Sequence, residues 1–258
     1  SSPYHLKSGL AGRHLFVWPS HGRYFDGERW KWQRPIMFCT TEDLLSQSIV
    51  FPYLIPMLEN AGAVVYTPRE RDAQTEEAVV DNDHPTSEGQ YVERDATGKA
   101  WRTADLPGFG LPHRQLTDND QPFRNGTSRC IPTSRRNEPR AEASWTPNLA
   151  KRGHYAVYVS YTSLPDAVDD AHYTVYHAGG RTEFHVNQRM GGGTWLYLGT
   201  FLFEAGENEH ARVVLDNTST HKGSISADAV RFGGGMGLAA RSMPQITVSP
   251  DSIYTYAY

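Results

Sequence analysis

The chain has 258 residues, enough for one large or two ordinary domains, and 38% hydrophobic with 21% charged residues reads as globular rather than disordered. A formal charge of −4 gives no electrostatic reason to expect nucleic acid, and no apolar run approaches the roughly 20 residues of a membrane-spanning helix. With 14 Tyr, 6 Trp, 23 Gly and 16 Pro, the composition favours many short strands and turns, a mix common where sugars are bound.

Residues 14–18 (HLFVW) form a short apolar run suited to a buried strand. Residues 40–59 (TTEDLLSQSIVFPYLIPMLE) read as a helix, with Thr40 as N-cap and Asp43 three places on in a capping-box arrangement. Leu44, Leu45, Ser48, Phe51, Leu54, Ile55 and Leu58 recur at three- and four-residue steps, while Pro52 and Pro56 each remove a backbone donor and kink or shorten the helix. Asn60–Gly62 supplies its stop, and residues 63–67 (AVVYT) form a second strand. Strand, helix and strand with short connections make a βαβ unit with parallel strands. Ligands in such sheets collect beyond the C-terminal strand ends. His21, three residues past the first strand, and Glu42, in the first turn of the helix, are therefore expected as neighbours in space, with PRERD (68–72) on the same rim.

Residues 73–153 are polar, rich in Pro and Gly and only weakly periodic. A β-rich block follows, with strands expected at 154–163, 171–180, 181–188, 194–206, 209–219 and 224–234, and HAGGRT as a hairpin turn. Antiparallel strands at this close spacing point to a β-sandwich of the jelly-roll kind. The tail after Gly237 follows neither pattern.

Cys39 and Cys130 are the only cysteines, so one disulfide is possible, but Cys39 beside Phe38 reads as a buried, inert thiol. The chain opens at SSPYHLKSGL without a methionine or signal peptide, as expected of a removed leader or a trimmed sequence.

Each candidate site residue also has a plain structural account. His21 reads as a metal-binding imidazole or a loop histidine bonded to backbone. Glu42 reads as a ligand or as a first-turn carboxylate favoured by the helix dipole at about 0.3–1 kcal/mol. Arg69 and Arg71, beside Asp72, could grip substrate carboxylates through the guanidinium fork or form an ordinary ion-paired loop. Trp30, Trp32 and Tyr24 could stack on sugar faces or pack the loop onto the helix. His84 and His113 show no metal-ligand spacing. On the β-rich block, Tyr173, His185, Asn187 and Gln188 are candidates for a glycan surface, Trp195 for the core, and Asp228 for a backbone bond that holds a strand end.

The block from Tyr155 to Phe232, with its paired Y-x-V strands, FHVNQ, GGGTWLYLGTFLF, VVLDN and ADAVRF, resembles the golvesin-like domain, also called the xanthan lyase carbohydrate-binding-like domain, over about residues 150–233. That resemblance implies a sandwich attached to a secreted, polysaccharide-directed or cell-wall enzyme. It carries over as a binding likeness: the block offers no base and carboxylate-neutralising group of the kind a lyase needs. Residues 12–72 resemble the start of the zinc-dependent N-acetylmuramoyl-L-alanine amidases, which place a histidine after the first strand, a glutamate opening the first helix and a T-R-x-x-D-like rim after the second. Here these are His21, Glu42 and TPRERD.

Together the resemblances imply an α/β plus all-β protein. A βαβ part of a zinc amidase-like parallel sheet (residues 1–75) is interrupted by an antiparallel jelly-roll-like β-sandwich with an irregular lead-in (76–235), and a tail (236–258) starts the return. The amidase likeness implies Zn2+ held by His21, Glu42 and a histidine beyond this chain, with water on the open position. Two ligands of three make zinc weak or absent and this chain alone inactive. The expected role is a secreted or periplasmic cell-envelope amidase whose sandwich binds peptidoglycan or another polysaccharide. The alternatives are a non-catalytic carbohydrate-binding module and a xanthan lyase-like protein acting on an acidic polysaccharide.

Overall fold

The computed structural model describes residues 9–67, 71–72, 74–83, 88–111 and 121–235. His84 and His113 lie outside the described residues. The chain divides between Arg71 and Asp72 into two units, the second spanning Asp72–Gly235.

In the first unit β1 (His14–Phe16) is followed by a small hairpin of β2 (Arg23–Phe25) and β3 (Trp30–Trp32). The predicted single helix is three pieces: α1 (Glu42–Ile49), one π-helical turn at Val50–Leu54, and α2 (Ile55–Asn60). The prolines explain the break. Pro52 has no N–H for the preceding turn, the ladder widens so that the Ile55 N–H reaches the Val50 carbonyl, and Pro56 sits in the first turn of α2, where a missing donor is harmless. The cap is Thr41 rather than Thr40: its hydroxyl accepts from the Leu44 N–H at 3.4 Å. β4 (Val64–Tyr66) then pairs in parallel with β1, His14 opposite Val64, as the βαβ pattern requires.

Among the described residues, Ile55, Ala63 and Val65 are this unit's buried apolar side chains, with Leu10, Leu15, Val17, Val50, Phe51 and Leu58 packed around them. The helical face that carries Leu45, Ile49, Tyr53 and Met57 at four-residue steps is exposed, although Leu45 and Leu54 belong to the predicted apolar periodicity.

The described part of the second unit is built of β-strands, with one 3-10 turn at Pro122–Arg124. Its strands are β5 (Glu77–Val80), β6 (Gly89–Arg94), β7 (Arg102–Gly108), β8 (Gly126–Pro132), β9 (Glu142–Pro147), β10 (Gly153–Val159), β11 (Ala171–His177), β12 (Gly180–Val186), β13 (Leu196–Phe203), β14 (Arg212–Asp216), β15 (Ser224–Ala227) and β16 (Val230–Gly233). They form antiparallel sheets ordered β13-β10-β16-β5, β12-β11-β14-β9-β6 and β15-β8-β7, a β-sandwich-like arrangement. Trp145, Tyr155, Tyr161, Tyr173, Phe203, Leu215, Ile225 and Phe232 are among its fully buried side chains.

Two expectations change here. The segment read as irregular, 73–153, supplies β5 to β9, and β9 carries Trp145, which has no exposed surface. Residues 224–234 are two strands in different sheets, β15 on β8 and β16 between β10 and β5, with the break at Asp228 and Ala229. The cysteines also reverse. Both are free, Cys39 is exposed on a turn where Phe38 and Cys39 take φ of 51° and 59°, and Cys130 is the buried thiol, its pKa raised by burial.

Candidate functional site

The loop after β1 and the start of α1 converge on one carboxylate. His21 Nδ1 lies 2.9 Å from Glu42 Oε1, the Ser20 hydroxyl donates to the same oxygen, and Arg34 Nε stands 3.6 Å from Oε2. The Ser20 hydroxyl, then the His21 ring and the Arg34 charge, hold the Glu42 carboxyl below its ordinary pKa. Ser20 takes a φ of 105°, a left-handed conformation that a serine adopts only when its surroundings impose it. The bond at Nδ1 orients the imidazole and leaves Nε2 as its remaining nitrogen, the pattern by which a carboxylate presents a histidine to a proton or a cation.

A catalytic zinc takes three protein ligands and a water. Among the described residues, no third His, Cys, Asp or Glu joins His21 and Glu42. With Arg34 beside it, this donor set falls short of a zinc site, and no zinc-dependent step follows from it.

Of the predicted substrate contacts, Arg69 and the side chain of Trp30 lie outside the described residues. Arg71 is a correction: its Nη1 donates to Glu59 Oε1 at 2.8 Å with the side chain only 10% exposed, which commits the guanidinium to α2 rather than to a ligand. Asp72 is likewise inward, accepting from the Gln74 N–H at 2.8 Å. Trp32 is half-buried and Tyr24 exposed. Phe38, Phe16 and Trp18 are the most exposed aromatics among this unit's described residues, and the sequence did not single them out as ligand contacts; Trp18 Nε1 donates to the Ser20 carbonyl at 2.7 Å.

Two of the predicted glycan contacts are also corrections. Tyr173 and Gln188 have no exposed surface. Gln188 Nε2 donates to the Tyr173 hydroxyl at 3.1 Å and to the Ser226 carbonyl at 2.8 Å, while Oε1 accepts from the Ser226 N–H at 2.9 Å. It is a core amide whose hydrogen bonds tie the segment after β12 to β15. Asn187 is half-buried and caps its own turn by accepting from the Arg189 N–H at 3.0 Å. His185 is exposed and stacks on His172 at 5.2 Å between ring centres. His172 is held by Asp216, 2.7 Å away, which raises the imidazole pKa. Trp195 packs on Phe109 at 4.8 Å.

Asp228 holds strand ends. Its carboxylate accepts from the Phe109 N–H at 3.0 Å and the Ser160 hydroxyl at 2.6 Å, and its carbonyl accepts from Trp145 Nε1 at 2.8 Å. Burial pushes its pKa up to about 6. Asp81 is pushed to about 8, first by burial and then by the charges of Asp228 and Asp83, and its Oδ2 finds no partner among the described residues.

A cleft of about 760 Å³ lies where the end of β8 meets residues 219–224. Lys99, Arg102, Arg135 and Lys222 supply its cations, Glu138 and Asp166 its carboxylates, and Thr133, Ser134, Ser219, Thr220 and Ser224 its hydroxyls. Sequence reasoning missed it because its residues come from four separated segments that lie in the stretch that looked irregular or in the turns between expected strands.

Residues 117–234 match the Golvesin C-terminal domain. Over these residues the second unit is thus similar to golvesin C-terminal domains. Xanthan lyase from Bacillus sp. (strain GL1) is 37% identical to the chain over 89 residues, which are 34% of this chain and 10% of that protein. Among solved structures, Paenibacillus xanthan lyase aligns at a TM-score of 0.46 and 22% identity, covering 62% of this chain and 13% of that one. The C-terminal CBM6 of LamC from Zobellia galactanivorans aligns at 0.31 and 14%, covering 56% of this chain and 99% of that one. The golvesin match does not extend to the first unit, and no described helix is long and apolar enough to cross a membrane.

Proposed function

We propose that this chain belongs to a secreted or periplasmic polysaccharide-directed protein and that its golvesin-like sandwich is a polysaccharide-binding module. The observation that carries the reading is the golvesin match over residues 117–234, together with 37% identity to xanthan lyase over 89 residues. The cleft at the end of β8 supports it with a concave, hydroxyl-rich surface of a size in which saccharides are held. Migration of the full chain through native gels containing xanthan, alginate or dextran tests it. Retardation by at least one polysaccharide is expected, and unaltered mobility in all of them refutes it.

A second reading concerns the first unit. The 2.9 Å approach of His21 to Glu42, beside a strained Ser20, supports a metal-assisted hydrolase site of the peptidoglycan amidase type, in which a third donor would complete the ligand set. Equilibrium dialysis of the chain and of its His21→Ala variant against Zn2+ tests it. With two donors present, weak uptake that the substitution abolishes is expected, and equal uptake by both proteins removes the reading.

A further inference from the structure

We infer that the cleft at the end of β8 selects an acidic saccharide, with Arg102, Arg135 and Lys222 gripping its anionic groups. This rests on the polysaccharide reading above and narrows the ligand to sugars bearing a carboxylate or another fixed negative charge.

The charge pattern is the first argument. The chain as a whole carries −4, yet four cationic side chains line this cleft against two carboxylates. Lys99 is already used: its Nζ donates to the Thr133 carbonyl at 2.8 Å, the Ser134 hydroxyl at 2.9 Å and Glu138 Oε2 at 2.8 Å. Glu138 also accepts from the Arg135 N–H at 3.1 Å, and Asp166 accepts from the Ser224 hydroxyl at 2.8 Å. The carboxylates at the margin are similarly engaged. Asp169 pairs with Arg189 at 2.9 Å and His221 at 3.0 Å, and Asp170 accepts from the Ser219 and Thr220 hydroxyls. Arg102, Arg135 and Lys222 are exposed and form no ion pair among the described residues. Each is a cation with hydrogen-bond capacity facing open space.

What the cleft lacks is the second argument. Sites for neutral sugars draw affinity from aromatic faces, and among the described residues no Trp, Tyr or Phe lines this one. Among the described residues its one aromatic ring is His221, held by Asp169. Affinity here must come from hydroxyl hydrogen bonds and charge, and a planar guanidinium matches a carboxylate in bidentate fashion.

The walls are fixed in advance. β15 pairs with β8, the Thr133 N–H donates to the Gly223 carbonyl at 2.9 Å, the Thr133 hydroxyl donates to the His221 carbonyl at 3.0 Å, and the Ser134 N–H donates to the Asn217 carbonyl at 2.7 Å. A methyl group at Gly223 would sit 2.3 Å from the Asp166 carbonyl, so the chain passes there only as glycine. A rigid frame keeps the backbone's share of the ordering cost of binding small.

The test uses the full chain in affinity gels and titrations with alginate, polygalacturonate and xanthan as acidic polymers and dextran as the neutral one. The expected result is retention by acidic polymers, none by dextran, and weakening with added NaCl. Each of Arg102→Gln, Arg135→Gln and Lys222→Gln is expected to weaken binding about tenfold, the loss of one charge-assisted contact. A control variant, Arg94→Gln/Arg152→Gln/Arg181→Gln, removes three cations elsewhere and is expected to bind as the parent does, with thermal midpoints confirming that both sets fold. Dextran binding as tight as alginate binding, or equal losses in control and cleft variants, overturns the acidic-cleft inference while the polysaccharide reading stands. Failure to bind any polymer overturns both.

Discussion

The two units bury apolar surface to very different extents. Among its described residues the first buries the apolar side chains of Ile55, Ala63 and Val65 and leaves Phe16, Trp18, Phe38, Ile49, Tyr53 and Met57 more than half exposed. The second buries apolar side chains from Ala78 to Phe232, with aromatic rings from β9, β10, β11, β13 and β16 inside one body. Sheet geometry accounts for the contrast. A two-stranded parallel sheet with one broken helix has one small face to cover, and isolated pairs of strands are marginal in water. Stacked antiparallel sheets enclose every inward side chain of a dozen strands. The polar groups follow the same division: His21 and Glu42 meet in the open, whereas Gln188, Asp81 and Asp228 are solvated only by the protein.

The comparison breaks most visibly at Trp145. Trp145→Ala empties a fully buried site and strands the Asp228 carbonyl, so unfolding of the second unit is expected to lose about 3–5 kcal/mol in denaturant titration. Gln188→Leu comes next, because it keeps the volume but leaves the Ser226 N–H and carbonyl unpaired in the core, a cost of about 1–3 kcal/mol by the same measurement.

Asp81 sharpens the comparison through pH. Its folded pKa of about 8 lies above its ordinary 3.8, so between these values the folded state binds a proton that the unfolded state has released. Stability of the second unit therefore falls as pH rises through that window. Asp81→Asn is expected to flatten the fall, with a thermal midpoint above the parent's at pH 8 and closer to it at pH 4. A raised His172 pKa acts in the same direction, its contribution present at low pH and lost as pH rises through the folded value. The smallest effect belongs to the first unit's exposed face, where Met57→Ser is expected to change stability by less than about 0.5 kcal/mol. Amide exchange sets the same contrast without substitution: protection on β10 and β13 is expected to exceed that on β1 and β4.

Much of this was legible in the sequence. The parallel β1–β4 pair, the approach of His21 to Glu42, the backbone bonds of Asp228 and most strands after residue 154 follow from periodicity, prolines and turn residues, all short-range signals. The golvesin likeness was legible too, because ordered motifs such as GGGTWLYLGTFLF and ADAVRF survive as local strings. β5 to β9 were not, since their strands mix alanine, proline and charged residues, and their inward set becomes apolar only against partners far along the chain. For the same reason the sequence nominated Tyr173 and Gln188 for a surface: polarity suggests exposure until a partner such as Ser226 satisfies it in the core.

Sequence alone determined where strands alternate, where prolines break the helix and which residues can carry charge, because those are properties of neighbours in the chain. Tertiary structure decided which polar groups are buried, that Arg71 serves Glu59, and that Lys99, Arg102, Arg135 and Lys222 share one cleft, because burial and electrostatic fields depend on distances in space.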